Sequence, residues 1–250
     1  MEDFQLLADL HLRQKRQGPG GSAATKMAID LAMLDPSAPL KIADIGCGTG
    51  ASTLDLARRL NAEITAVDFL PEFIKKLIAD SEKEGLGDKI TAVVGPMENL
   101  QFEDDELDVI WSEGAIYNIG FEKGVNEWRR FLKPEGILVA SELTWITGDR
   151  PNEIQEHWNT EYAEVDTASA KIKVLEDAGY SPVAYFFLPE HCWFQNYYGP
   201  LQDSFAEFLR RNANSESAQA IVEAERKEIA LYEKYKGYYS YGVYIAKKLG

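Results

Sequence analysis

The sequence predicts a Rossmann-like α/β fold: a seven-stranded, mostly parallel, doubly wound sheet with a helical N-terminal cover and a helical insertion before the last strand. Three observations carry that expectation. Short apolar runs alternate with segments of helical period from Leu40 to Leu143, the pattern of parallel strands joined by crossover helices. Lys41 to Thr53, K-I-A-D-I-G-C-G-T-G-A-S-T, reads as a buried strand, a glycine turn and the first turn of a helix. At the far end, Tyr239, Tyr241, Val243 and Ile245 alternate with Ser240, Gly242 and Tyr244, which gives a closing strand of period two.

The elements follow in order. Glu2 to Gln17 has an imperfect apolar stripe of Phe4, Leu7, Leu10 and Leu12 and ends at the breaker Gly18-Pro19-Gly20-Gly21, a candidate hinge. Ser22 is placed to cap a second helix running to Leu34. After the glycine turn, Ser52 to Leu60 continues as helix, and Glu63 to Asp68 is a strand ending in an acid. Pro71 opens a helix with Phe73, Ile74, Leu77 and Ile78 on one face, closed by Gly85 and Gly87. Strands are expected at Lys89 to Val94, Glu106 to Trp111 and Ile137 to Leu143, with Phe121, Val125, Trp128, Phe131 and Leu132 at helical spacing between the last two. Beyond them, Pro151 to Tyr162 and Ala168 to Ala178 read as helices and Pro182 to Leu188 as a strand. The aromatic patch Trp193-Phe194-Gln195-Asn196-Tyr197-Tyr198 precedes a charged helical region from Leu201 to Tyr235. Insertions of that length, with helices of their own, are usually lids or contact surfaces.

Charge and cysteine usage exclude whole classes. The 41 acids against 26 bases leave a net charge of −15, a field that repels phosphate backbones and argues against nucleic acid or an anionic membrane as partner. The two cysteines, Cys47 and Cys192, form no metal-ligand spacing, and no metal site is expected. No apolar run reaches the length of a membrane span, and the N-terminus lacks a signal core, so a cytoplasmic protein is expected.

The glycine turn admits two cofactors. Gly46, Gly48 and Ala51 satisfy the dinucleotide spacing G-x-G-x-x-G/A, with Asp68 about twenty residues further on. Asp44, two residues before the first glycine, and the third glycine Gly50 point elsewhere, because a pyrophosphate needs the helix N-terminus unopposed by an acid. The acid suits a ligand carrying an ammonium and a sulfonium.

With the later segments A-V-D, V-V-G-P-M-E-N-L-Q-F, D-E-L-D-V-I-W-S-E-G and L-K-P-E-G-I-L, the string resembles the class I methyltransferases that use S-adenosylmethionine (SAM), in the small-molecule branch that includes quinone-biosynthesis enzymes. The resemblance spans roughly Leu40 to Leu143. It implies that Gly46, Gly48 and Gly50 pass close to the methionine and ribose parts of SAM, that Asp44 holds the turn and faces the ammonium, and that Asp68 accepts from the ribose hydroxyls. It also implies that Phe69, Leu70 and Met97 enclose the adenine. Many relatives carry an acid where Pro96 stands; Glu98 is the nearby candidate for that adenine contact. Glu113, just past a central strand, is a candidate for the ammonium or the acceptor, and Arg16 for the methionine carboxylate.

Tyr117, Glu142, Trp145, His191 and Trp193 are the substrate-side candidates, with no general base identified. The expected organisation is one methyltransferase domain over 1–250: a cover or lid at 1–36, a SAM-binding core at 37–148, and a C-terminal half at 149–250 with its insertion at about 199–236. The expected activity is in-line displacement of the SAM methyl group by a small organic acceptor, with S-adenosylhomocysteine (SAH) as product and a homo-oligomer left open. The alternatives are an NAD(P)-dependent oxidoreductase and a non-catalytic SAM-binding protein.

Overall fold

The computed structural model describes residues 2–250. Its sheet runs β3-β2-β1-β4-β5-β8-β7, with β1 Leu40–Ile45, β2 Ala62–Asp68, β3 Ile90–Val94, β4 Leu107–Ser112, β5 Leu132–Trp145, β7 Tyr180–Phe187 and β8 Tyr239–Lys248. The first five are parallel, and β8 is antiparallel to both β5 and β7. An eighth member, the two-residue β6 Asp166–Thr167, pairs with the end of β5 beside the seven-strand path.

Helices cover both faces, which is why strand residues are apolar on both sides near the middle of the sheet. On one face Ala43, Ile45 and Ile110 pack against Phe121, Val125 and Trp128 of α5 (Phe121–Trp128) and Leu175 of α7 (Ala168–Asp177). On the other, Ile42, Ile64 and Val109 meet Ala28 and Ile29 of α2 (Ser22–Leu31) and Leu56 of α3 (Ala51–Arg59). Alternation along β1 thus sends Ile42 and Ala43 to opposite cores. Helix α4 (Pro71–Lys83) packs Ile74 and Leu77 beside the glycine turn.

A third core is aromatic and lies beyond the strand ends. Trp193, Tyr197, Tyr198, Tyr232 and Tyr239 pack there with Leu10 of α1 (Glu2–Leu12). The insertion is two helices, α9 (Gly199–Arg211) and α10 (Glu216–Tyr235). They part where Ala213 and Asn214 take left-handed φ and the Ser215 hydroxyl accepts from the Ala218 amide at 3.3 Å, capping α10. The aromatic patch is helical too: α8 (Glu190–Trp193) runs into a π turn over Phe194–Tyr198. Helix α6 (Asn152–Glu161) lies between β5 and β6.

Helix α1 stops at Leu12 rather than at Gln17, because Arg16 and Gln17 turn inward to partners in the loops at the strand ends, Glu113 and Thr49. Helix α2 stops at Leu31 rather than Leu34, with Met33 left-handed just beyond it.

Candidate functional site

A cavity of about 740 Å³ opens at the carboxyl ends of the parallel strands, where open α/β sheets bind ligands. Its wall combines the glycine turn, the segment after β2, the Gly95–Glu98 loop, the loop after β4, the N-terminal segment and the insertion.

The glycine turn begins where the amides of Gly46 and Cys47 both donate to the Val67 carbonyl, at 2.8 and 3.0 Å. Gly46 has φ +73°, and a Cβ there would lie 2.2 Å from the Ala115 Cβ, so only glycine lets the loop after β4 approach. Gly50 serves packing instead. At φ +90° its missing Cβ would fall 2.2 Å from Leu77 Cδ1, and Gly50 does not line the cavity.

Asp44 is fully buried and also lies behind the cavity wall. Ser52 Oγ and Thr53 Oγ1 donate to its Oδ2 at 2.8 and 2.6 Å, which fixes the first turn of α3, while Oδ1 has no partner. Burial pushes this carboxyl up to about 7, against the pull of the two hydroxyls; Glu113 raises it further and Arg16 opposes.

Asp68 closes the turn from the other side. Its Oδ2 accepts from the Gly48 amide and its Oδ1 from the Leu70 amide, both at 2.9 Å. Burial raises its pKa, and the backbone donors of Leu70 and Gly48 hold it down. Phe69 stands 63% exposed beside Phe4, their rings edge to face at 6.4 Å. Leu70, Pro96, Met97 and Glu98 line the same wall, and the Met97 carbonyl is held by the Trp128 indole N–H at 3.2 Å.

Glu113 is the acid that faces the cavity from the central strands. Its Oε1 accepts from Thr25 Oγ1 at 2.8 Å and Trp111 Nε1 at 3.0 Å, and its Oε2 pairs with Arg16. Arg16 is not a solvated helix-end side chain. It reaches the site past Gly20, where a Cβ would fall 2.4 Å from its guanidinium, and its Nε is buried without a partner.

Besides Asp44 and Gly50, three substrate-side candidates fall outside the cavity lining. Glu142 is fully buried and pairs with Lys171 at 2.9 Å, a structural ion pair under α7. Trp145 packs edge-on against Tyr239, and its indole N–H donates to the Val165 carbonyl. His191 is exposed on α8. Tyr117 and Trp193 do line the cavity.

Sequence reasoning missed several wall residues. Gln17 Oε1 accepts from both the amide and the hydroxyl of Thr49, at 2.8 and 3.1 Å, and ties the N-terminal segment to the glycine turn. His11, Trp158, Tyr197, Tyr241, Glu225 and Glu228 also belong to the lining. Glu225 and Glu228 sit three residues apart on a strongly charged helix, a spacing that looks the same on a solvated face. The N-terminal segment also docks on the insertion: Asp9 accepts from Arg211 at 2.7 Å, Gln14 donates to Ser204 at 2.9 Å, and Asn196 donates to the Gly20 carbonyl at 2.7 Å. Among the described residues no group of His, Cys, Asp and Glu could hold a metal ion, and no helix is long and apolar enough to cross a membrane.

Comparisons with known proteins agree with this architecture. The model of a family described as "Methyltransferase domain" matches residues 43–140. An uncharacterised protein of Haemophilus influenzae is 29% identical over 141 residues, 55% of each chain. The ribosomal protein arginine N-methyltransferase rmt3 of Schizosaccharomyces pombe is 28% identical over 158 residues, 60% of this chain and 28% of that enzyme. The chain thus spans about half the length of the first of these relatives and under a third of the second. A SAM-dependent methyltransferase from Geobacter sulfurreducens, solved with SAH, superposes with a TM-score of 0.83 at 18% identity, over 98% of this chain and 97% of that one. From the N-terminal cover to the closing strand, this chain has the fold of the class I SAM-dependent methyltransferases.

Proposed function

We propose that this protein transfers the methyl group of SAM to a small organic acceptor. The observation that carries the reading is one cavity walled jointly by the glycine turn, Asp68, the aromatics Trp158, Trp193, Tyr197 and Tyr241, and the insertion, at the strand ends of this fold. Its volume of about 740 Å³ lies within the range of small-molecule and cofactor sites.

The wall suits SAM chemically. Each Asp68 oxygen accepts one backbone N–H and keeps a lone pair free, so the carboxylate can still accept from a pair of ribose hydroxyls. Phe69, Leu70 and Met97 offer apolar surface for a purine, and Glu98 takes the position nearest the acid that Pro96 replaces. Glu113 offers negative charge to the ammonium, and Arg16 beside it offers donors to the carboxylate. Asp44 acts indirectly, by holding α3 so that Gly46 and Gly48 present bare backbone. When bound, SAM supplies a methyl group already activated on a sulfonium. The protein's residues therefore orient the acceptor and exclude water, and orientation alone is worth roughly 7–11 kcal/mol of barrier.

Enclosure by α1, the π turn and α10 supports the small-molecule branch, in which the quinone-biosynthesis enzymes also fall, over a macromolecular acceptor. The nicotinamide reading retains only the Gly46, Gly48, Ala51 and Asp68 spacing.

Thermal unfolding with SAM, SAH, NAD and NADP tests the assignment. SAH at a hundred times its dissociation constant adds about 2.7 kcal/mol of stability. A shift with NAD or NADP and none with SAH overturns it. SAH binding without SAH production from SAM across a broad acceptor panel would instead identify a non-catalytic SAM-binding protein.

A further inference from the structure

On the reading that the cavity holds SAM and an acceptor together, we infer that the acceptor is a cationic amine, bound as its ammonium by Glu225 and Glu228 among the aromatic faces of the cavity wall and methylated on nitrogen. The charge of the wall is the first ground. Among the described residues five carboxylates line it, those of Asp68, Glu98, Glu113, Glu225 and Glu228, against the guanidinium of Arg16, which already pairs with Glu113, and the imidazole of His11. No lysine lines it. A phosphate or carboxylate acceptor meets repulsion throughout such a space, whereas a cation is drawn into it.

The second ground is a vacancy in hydrogen bonding. Glu225 is only 8% exposed and belongs to the cavity wall, yet its Oε2 has no partner. Its Oε1 lies 3.5 Å from His11 Nε2, too long for a good hydrogen bond, and His11 Nδ1 is also unpartnered. Glu228, one helical turn on and exposed, accepts from the Tyr198 hydroxyl at 2.9 Å through Oε1 and adds its charge beside Glu225. A buried carboxylate with open lone pairs is a costly arrangement unless a ligand supplies the missing N–H groups.

The third ground is the aromatic surround. Trp158, Trp193, Tyr117, Tyr197 and Tyr241 line the cavity, and Trp193 stacks on Tyr241 with ring centroids 5.4 Å apart. Electron-rich ring faces attract ammonium ions, and paired carboxylates supply acceptors for their N–H groups.

The same acids complete the chemistry. An ammonium has no lone pair, so it must lose a proton before attack. Glu228 has Glu225 on its own helix, His11 of α1 and Tyr198 as its charged and polar neighbours; desolvation at the cavity wall and the Glu225 charge raise its pKa, while the Tyr198 hydrogen bond and His11 oppose. The amine gives a proton to this carboxylate, and its freed lone pair forms the new N–C bond. The C–S pair departs with sulfur, which becomes a neutral thioether, and the product is the N-methylated ammonium. The proton on Glu228 returns to solvent.

Calorimetric titration of the SAH-loaded and ligand-free protein with a charge series of constant shape tests this. Phenethylammonium, 2-phenylethanol and 3-phenylpropanoate form one set; butylammonium, butanol and pentanoate form another. The ammonium of at least one set should bind at least about tenfold tighter than its neutral and anionic counterparts. Glu225→Gln and Glu228→Gln should each erase that preference while leaving SAH affinity unchanged. Neutral or anionic members binding as tightly as the ammonium ions, or ammonium binding indifferent to both substitutions, overturns the amine assignment and leaves methyl transfer standing. Failure of the wild-type protein to bind SAH overturns both.

Discussion

Replacing Asp68 with Ala separates two tasks that the structure gives to one carboxylate. The side chain holds the Gly48 and Leu70 amides at 2.9 Å each, and hydrogen bonds to an ionised acceptor are worth about 1.5–3 kcal/mol. Gly48 and Leu70 both line the cavity, so water refills the gap, and the net loss of folding stability should be about 1–3 kcal/mol. Loss of the two proposed ribose hydrogen bonds should weaken SAH by about 10–100-fold after the same refilling by water. Asp68→Asn keeps the shape and one acceptor oxygen but no charge, and should fall between Ala and the wild type on both scales. Urea unfolding reads the first effect, and calorimetry on the folded variants reads the second. A folded Asp68→Ala protein that binds SAH as tightly as the wild type would refute the ribose role, while unchanged stability would refute the turn-holding role.

Three further outcomes are expected. Gly50→Ala forces a Cβ into the left-handed region and against Leu77, which should cost about 2–5 kcal/mol of stability in urea melts; a loss under about 1 kcal/mol would refute the packing account. Lys171→Met strands the buried Glu142 charge and should cost about 3–5 kcal/mol, whereas Glu142→Leu with Lys171→Met should recover most of it and leave SAH affinity intact; equal losses in the single and double variants would refute that. Asp44 titrates near 7 in the folded protein against 3.8 for the free side chain, so the folded state binds the extra proton between those values. Its contribution to stability is complete below the lower value and is lost as pH rises through the upper one. Asp44→Asn should remove a slope of up to about 1.4 kcal/mol per pH unit across that window, and parallel pH profiles for variant and wild type would count against the buried carboxyl as its source.

The sequence by itself determined the strand and helix alternation, the glycine turn and the strand-end acid Asp68, because each is a local matter of period, backbone freedom or position. Only the tertiary structure decided which residues share the cavity. Glu142, Trp145 and His191 follow the site motifs closely in sequence or sit beside aromatics, yet pairing with Lys171, packing on Tyr239 and an outward-facing helix turn keep them out. Gln17, His11, Glu225 and Glu228 carry no local signal, since a polar residue on an amphipathic helix looks the same whether its neighbour is water or another element. Docking of α1 against α9 and α10 makes the difference, through contacts such as Asp9 with Arg211 that span most of the chain. That long-range packing turns helix faces the sequence marks as solvated into the wall of an acidic, aromatic chamber.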